Sequence, residues 1–328
     1  MKTIRRHAIA LLPTLVLIPL AAPAPAGAQG YPDRQIRLIV PFPPGGGGDT
    51  AARLIAEHLT RRLKQTVVVE NKGGADQVIG TTALTQAAPD GYTLMMTGST
   101  MVVHAAYGRK LPYDPLNDIA PVAKVATVPV MLLANPKLGV RNIKELVALA
   151  KARPGEFKAA HIGTSGLHYF SFKLLEQTAG IRFLEVPYKG SGPAVQAALS
   201  GEVDLVFGSS GQGKVLSDTG KLVALGVTGE TRSTAAPDIP TIAEAGVPGF
   251  ALFTEFYLYA PGATPTAIID KLNEETRAIV TTPAVRQRLE QLGFEAQTGS
   301  PAQARAEHRT RYELYRDLIQ SMDLKWNE

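Results

Sequence analysis

The sequence predicts an α/β protein with room for two domains, and three observations carry that reading. The chain has 328 residues, more than the roughly 250–300 at which a single core stops growing. Short apolar runs alternate with helical ones, as in Ile36–Val40, then Leu54–Leu63, then Val67–Val69. That alternation is the mark of βαβ units, with parallel strands and right-handed crossovers. The runs also end repeatedly in glycine, serine or threonine, and the arrangement is gone through once before residue 129 and again after it, without an exact sequence repeat.

The first segment reads as a processing signal rather than structure. Lys2, Arg5 and Arg6 form a basic start, and Ala8–Leu20 is apolar but short and interrupted by proline. Ala26-Gly27-Ala28 supplies the small-x-small pattern of a cleavage site, so 1–28 is expected to be a signal peptide. Its loss would take the formal charge from +5 to +2 by removing three basic residues and no acidic one. A near-neutral mature chain without a Lys/Arg run argues against nucleic acid as a partner. No cysteine is present, so there is no disulfide and no attachment point for a lipid. An exported, disulfide-free chain points to the bacterial periplasm.

Taken in order, Gln35–Phe42 is a buried strand that runs into Pro43-Pro44 and then Gly45–Gly48. Asp49 or Thr50 can cap the helix that follows, whose stripe is Leu54, Ile55, Leu59 and Leu63. Thr66–Glu70 is a β-branched strand. Asn71–Ala75 is a second glycine loop before a helix through Ile79–Ala87, and Tyr92–Thr97 is a strand leading to Gly98-Ser99-Thr100. Ile119–Val125 and Val128–Ala134 are strands around Pro129, placed as a passage between lobes. Val140–Ala152 is helical, and Phe157–Ile162 is a strand ending in Gly163-Thr164-Ser165-Gly166 before a helix with Phe170, Phe172, Leu174 and Leu175. Phe183–Pro187, Val203–Phe207 and Leu222–Thr228 are further strands, with a helix at Pro193–Ser200 and a Gly208–Gly211 loop between them. Glu255–Ala260 is the last strand, and helices follow from Thr264-Pro265, over Pro283–Gln291 and over Pro301–Met322.

Several chemistries can be weighed on these residues. Gly46-x-Gly48-x-x-Ala51 fits the dinucleotide fingerprint, with Glu70 closing the next strand. Four consecutive glycines make that match nearly automatic, Pro41, Pro43 and Pro44 lack N–H donors, and export removes the chain from the nicotinamide pool. No Gly-Lys-Ser/Thr follows for a P-loop. Gly163–Leu167 and Gly208–Gln212 both miss the last glycine of a nucleophile elbow. His161 and His168 are seven apart with no third ligand in view, so no metal is expected. Tyr188 and Lys189 fit a solvated turn as well as a site. A binding reading needs no nucleophile. Gly45–Gly48, Thr97–Thr100, Gly163–Ser165, Ser191–Gly192 and Gly208–Ser210 all sit at strand ends and offer N–H or hydroxyl donors, the side of an open sheet where ligands bind. Such donors suit a carboxylate, at roughly 1.5–3 kcal/mol for each charge-assisted bond. Two lobes gain that energy only on closing.

Tyr31-Pro32 with Ile36–Gly47, then Val67–Asn71, Ala88–Leu94, Leu111–Pro115, Val186–Gly190, Gly201–Asp204, Pro237–Thr241, Glu244–Gly246 and Ala260–Pro265 run in order through nearly the whole mature chain. In these segments the chain resembles the substrate-binding receptors of tripartite tricarboxylate transporters, the TctC or Bug family. The resemblance implies a two-lobe periplasmic-binding-protein fold, a Venus flytrap in which each lobe is a mostly parallel sheet flanked by helices. Lobe 1 would span 31–129 plus 253–328 and lobe 2 130–252. It implies a monomeric receptor without cofactor or catalysis that captures a small organic carboxylate and delivers it to membrane permease subunits. A secreted enzyme on a doubly wound fold and a ligand sensor for a signalling partner are the alternatives. Carried onto this sequence, the ligand-binding residues would be Phe42, Pro43, Pro44, Gly45, Gly46, Gly47, Gly48, Thr97, Gly98, Ser99, Thr100, Gly163, Thr164, Ser165 and His168.

Three departures from the family pattern bear on the ligand. Ala160–Ser165 stands where relatives usually have a Ser-Ser-Gly-Asn-Gly-Thr-like stretch, Gly208-Ser209 where Asp or Asn is frequent, and Glu255-Phe256-Tyr257 where Trp-Phe-Gly is common. With His161 and Glu255 facing the cleft, the ligand is expected to carry a second polar or nitrogen-bearing group, with Tyr257 and Phe170 giving room for an aromatic one. The competing expectation for Glu255 is an ion pair with a nearby arginine.

Overall fold

The computed structural model describes residues 30–99 and 101–325. The leader expected at 1–28 and the candidate ligand residue Thr100 lie outside the described residues. Strands β1 (Ile36–Val40), β2 (Val67–Asn71), β3 (Thr93–Gly98), β4 (Ile119–Val128), β10 (Thr254–Pro261) and β11 (Glu295–Ala296) form one sheet in the order β11-β4-β10-β3-β1-β2. Strands β5 (Val130–Ala134), β6 (Lys158–His161), β7 (Leu184–Pro187), β8 (Leu205–Ser209) and β9 (Val223–Val227) form the other, in the order β7-β6-β8-β5-β9. The first sheet therefore draws its strands from both ends of the chain, and the second from the middle.

Both sheets are mixed, which corrects the expectation of mostly parallel ones. β1 runs parallel to β2 and β3, but β10 is antiparallel to β3 and β4. In the second sheet β6 is parallel to β7 and β8, whereas β5 is antiparallel to β8 and β9. The reason lies in the crossings. Strands born within a lobe end at the side facing the other lobe, where their loops turn into helices. β5 and β10 are the strands by which the chain enters a lobe from its neighbour, so they start at that side and run the opposite way. Pro129, which lacks an N–H for a ladder, separates β4 from β5.

The helices are α1 (Gly47–Leu63), α2 (Val78–Thr85), α3 (Met101–Ala106), α8 (Thr266–Val280), α9 (Pro283–Gln291) and α10 (Pro301–Ser321) around the first sheet. Around the second stand α4 (Ile143–Ala152), α5 (Leu167–Ala179), α6 (Ser191–Ser200) and α7 (Ser210–Asp218). In α1 the apolar stripe buries Ala52, Ile55, Ala56, Leu59 and Leu63, each large side chain contributing about 1.5–3 kcal/mol. Its start differs from expectation: the cap is Gly46, inside the glycine run, and neither Asp49 nor Thr50.

Alternation along β10 splits the first lobe's core. Phe256, Leu258 and Ala260 pack on the α1 side, while Tyr257 and Tyr259 face α10 and α3. The second of these clusters continues into the other lobe through Phe170, Leu174 and Leu175 of α5. Phe170 meets Tyr315 of α10 edge-on at 4.7 Å between ring centroids, and Gln177 donates to Ser321. The C-terminal helix thus packs against both lobes.

Candidate ligand-binding cleft

The loop after β1 is held by side chains from its own lobe. No side chain caps α1. The Asp49 carboxylate reaches back instead, accepting the Gly45 N–H at 2.9 Å, Arg53 Nε at 3.0 Å and Asn71 Nδ2 at 2.8 Å. Asn71 Nδ2 also donates to the Phe42 carbonyl. Burial alone would raise the Asp49 pKa, but the hydrogen bonds from Arg53, Gly45 and Asn71 outweigh it and hold the carboxyl at about 2. The glycine at 45 is needed for its φ of +88°. Its N–H is already engaged, so the donors open at the helix start belong to the residues beyond it.

A cavity of about 550 Å³ opens on this loop. Phe42, Pro43, Pro44, Gly46, Gly47 and Gly48 line it together with Gln77 and Gly98, and Phe256 and Phe294 close its apolar side. The structure therefore gathers six of the seven candidate residues of the 42–48 loop around one space. The β3 end does something else. Thr97 is buried and donates to Gln77 Oε1 at 2.7 Å, orienting the glutamine that lines the cavity. Ser99 is buried too, and both its N–H and its Oγ bind Glu255, the hydroxyl at 2.6 Å from Oε2.

Glu255 corrects the expectation of an acid facing the cleft. It is 3% exposed, and Arg311 of α10 donates to Oε1 from Nε at 3.0 Å and from an Nη at 2.6 Å. Tyr257 is fully buried with its hydroxyl on Glu307, and Phe170 lies in the core. Neither ring is available to a ligand: α10 covers the odd-numbered face of β10, and Phe170 of α5 packs against Tyr315 of that same helix.

On the facing lobe, β6 ends at His161 and α5 begins after Gly166, again without a side-chain cap. Gly163 has φ +59°, and His161 Nδ1 lies 3.2 Å from its carbonyl oxygen, so Nδ1 is the donor of that pair. The His161 ring is buried against Tyr169. His168, in the first turn of α5, is half-buried; removal from bulk water pushes its pKa down to about 4, with His161 adding to the effect. It is neutral at pH 7. Gly208 is packed inside its lobe, and exposed Ser209 caps α7, accepting the Gln212 N–H at 3.4 Å.

The two walls touch. Ser165 Oγ donates to Asp76 Oδ2 at 2.9 Å, and Tyr107 OH donates to the Thr164 carbonyl at 3.0 Å. The glycine loop expected from the sequence ends at Ala75 and leaves out Asp76 and Gln77. An acid two positions after Gly73-Gly74 was the available signal. A larger cavity of about 910 Å³ lies elsewhere, between α5, β7 and the end of α10, lined by charges already paired such as Lys173 with Glu176.

Two α/β lobes joined by crossing strands, with helix-starting loops confronting each other, define a two-lobe solute-binding protein. A family model, tripartite tricarboxylate transporter family receptor, matches residues 51–324. The chain belongs to that family, one of solute-binding receptors and not of enzymes. It is 38% identical over 284 residues to BugT of Bordetella pertussis, covering 86% of this chain and 87% of that protein. Among solved structures, the periplasmic binding protein BugD is 31% identical with a TM-score of 0.71, over 90% of this chain and 99% of that one. An R. palustris protein solved with adipate is 30% identical, TM-score 0.71, over 88% of this chain and 97% of its own.

Proposed function

We propose that this protein captures a small organic carboxylate between its lobes in the periplasm and delivers it to the membrane permease of a tripartite tricarboxylate-type transporter. The observation that carries the reading is the pairing of two uncapped helix starts: α1 behind Gly46–Gly48 on one wall and α5 behind Gly163–Gly166 on the other. Each presents backbone N–H groups and the positive end of a helix dipole to an anion. Beyond its glycine rim the cavity at the first is mostly apolar, Gln77 and Thr254 apart, which suits the hydrocarbon part of such an acid. The adipate held by the R. palustris relative is a ligand of this chemistry. The reading also assigns 1–28 to export and the boundaries 129/130 and 252/253 to the lobe crossings. Thermal shift against a panel of mono- and dicarboxylates tests it. A ligand at 100 times its dissociation constant should add about 2.7 kcal/mol of stability, and a panel with no response from any acid would overturn the reading.

A further inference from the structure

The loop between β2 and α2 carries a backbone feature that the capture reading does not use. Ala75, Asp76 and Gln77 have φ of +45°, +50° and +74°, three successive non-glycine residues in the left-handed region. L-residues avoid that region for steric reasons, and such strain persists only where surrounding contacts fix it. Here the contacts are specific. Gln77 is held by Thr97 and lines the cavity beside Gly46–Gly48. Asp76 Oδ2 accepts from buried His104 Nε2 at 2.7 Å within its own lobe and from Ser165 Oγ at 2.9 Å across the cleft. The strain aims one side chain at the cavity and the next at the opposite wall.

Both bonds fall on Oδ2. Oδ1 makes no hydrogen bond among the described residues, and the side chain is 46% exposed. The His104 hydrogen bond, acting against burial, lowers the Asp76 pKa, so the group is a carboxylate at neutral pH. Gly73, three residues earlier, lies against the backbone of Phe42 and Pro43, which ties this acid to the glycine loop.

We propose that Asp76 is the specificity-determining residue of the cleft, a fixed acceptor that favours carboxylates bearing an ammonium or hydroxyl group at their far end and disfavours plain diacids. The inference rests on the carboxylate reading above. A second ligand carboxylate would meet a like charge, lessened but not paired by the field of Arg109, whereas an N–H or O–H donor would complete Oδ1. Ser165 brings the same acid to the opposite wall, so this discrimination acts in the closed arrangement.

Calorimetry on the full mature chain tests the proposal with pairs of equal length: 4-aminobutyrate and 4-hydroxybutyrate against succinate, and 6-aminohexanoate against adipate. The wild type should bind the amino or hydroxy member at least tenfold more tightly than its diacid partner. Asp76→Asn should cut that ratio at least fivefold, whereas Ser165→Ala should weaken both members of a pair alike. Should Asp76→Asn fail to fold, the wild-type ratio still decides. A wild type that prefers the diacids, or an Asp76→Asn ratio equal to that of the wild type, overturns the assignment. If diacids and monoacids bind with no such ratio, only Asp76 loses its role; if no acid binds, the carboxylate reading itself falls.

Discussion

Replacing Glu255 by Gln separates a structural acid from a ligand-binding one. The carboxylate is buried between β10 and α10, with Arg311 on one oxygen and Ser99 on the other. Arg311 is itself 8% exposed, and no second carboxylate bonds it among the described residues; its other close neighbour is the Phe253 ring at 4.7 Å. The amide keeps the shape and can still accept from Arg311, but it leaves a guanidinium charge in the core without a counter-charge. Breaking a buried pair from one side costs about 3–5 kcal/mol. For a protein of this size that lowers the melting temperature on the order of 10 °C. Urea unfolding followed by circular dichroism should show the loss, and Glu255→Met combined with Arg311→Met should recover much of it, because two apolar side chains strand no charge. Affinity for a bound acid, measured well below the melting point, should be within a factor of two of wild type. A variant with unchanged stability and collapsed affinity would refute the argument and return Glu255 to the cleft.

Two more outcomes follow from the same geometry. Burial holds His308 neutral with a pKa of about 4, partly opposed by its bond to the Pro115 carbonyl and by Glu255, and His168 sits at about 4 as well. Unfolded, each would titrate near 6.5. Between those values the unfolded chain binds more protons, so stability should be full above about pH 6.5 and fall as pH drops toward 4; His308→Gln should flatten the slope of the melting temperature against pH. Gly48→Ala would place a methyl 3.1 Å from the Phe42 ring and 3.4 Å from Phe256. Such overpacking costs about 1–3 kcal/mol, and the displaced Phe42 should weaken acid binding in calorimetry more than it lowers the melting temperature.

How much of this could be read in the sequence differs from element to element. β1, α1 and β2 announce themselves, because periods of 2 and 3.6 recur within windows long enough to count. α3 and β11 do not, being six and two residues long. The buried face of α10 is legible only in part: Tyr315 and Leu318 stand on its expected apolar side, but the face also runs through Ala304, His308 and Arg311. Two of those five are polar, and nothing local says that Pro115 and Glu255 wait to receive them. The sequence predicts mostly parallel sheets where mixed ones form, because strand direction depends on which lobe the chain has just left.

Sequence alone determined the local grammar: the strand, the stiff proline pair, the glycines where a helix must begin, and two successive blocks of that kind. Those features depend on backbone sterics and on side chains within a few residues of one another. Tertiary structure decided what each polar side chain serves. It turned Ser99 and Glu255 inward to Arg311, engaged the Gly45 N–H with Asp49, and carried Asp76 across to Ser165, 89 positions further along. Whether an acid lies in a core or in a cleft depends on which distant element covers its face of the strand, and that is fixed only when the lobes pack.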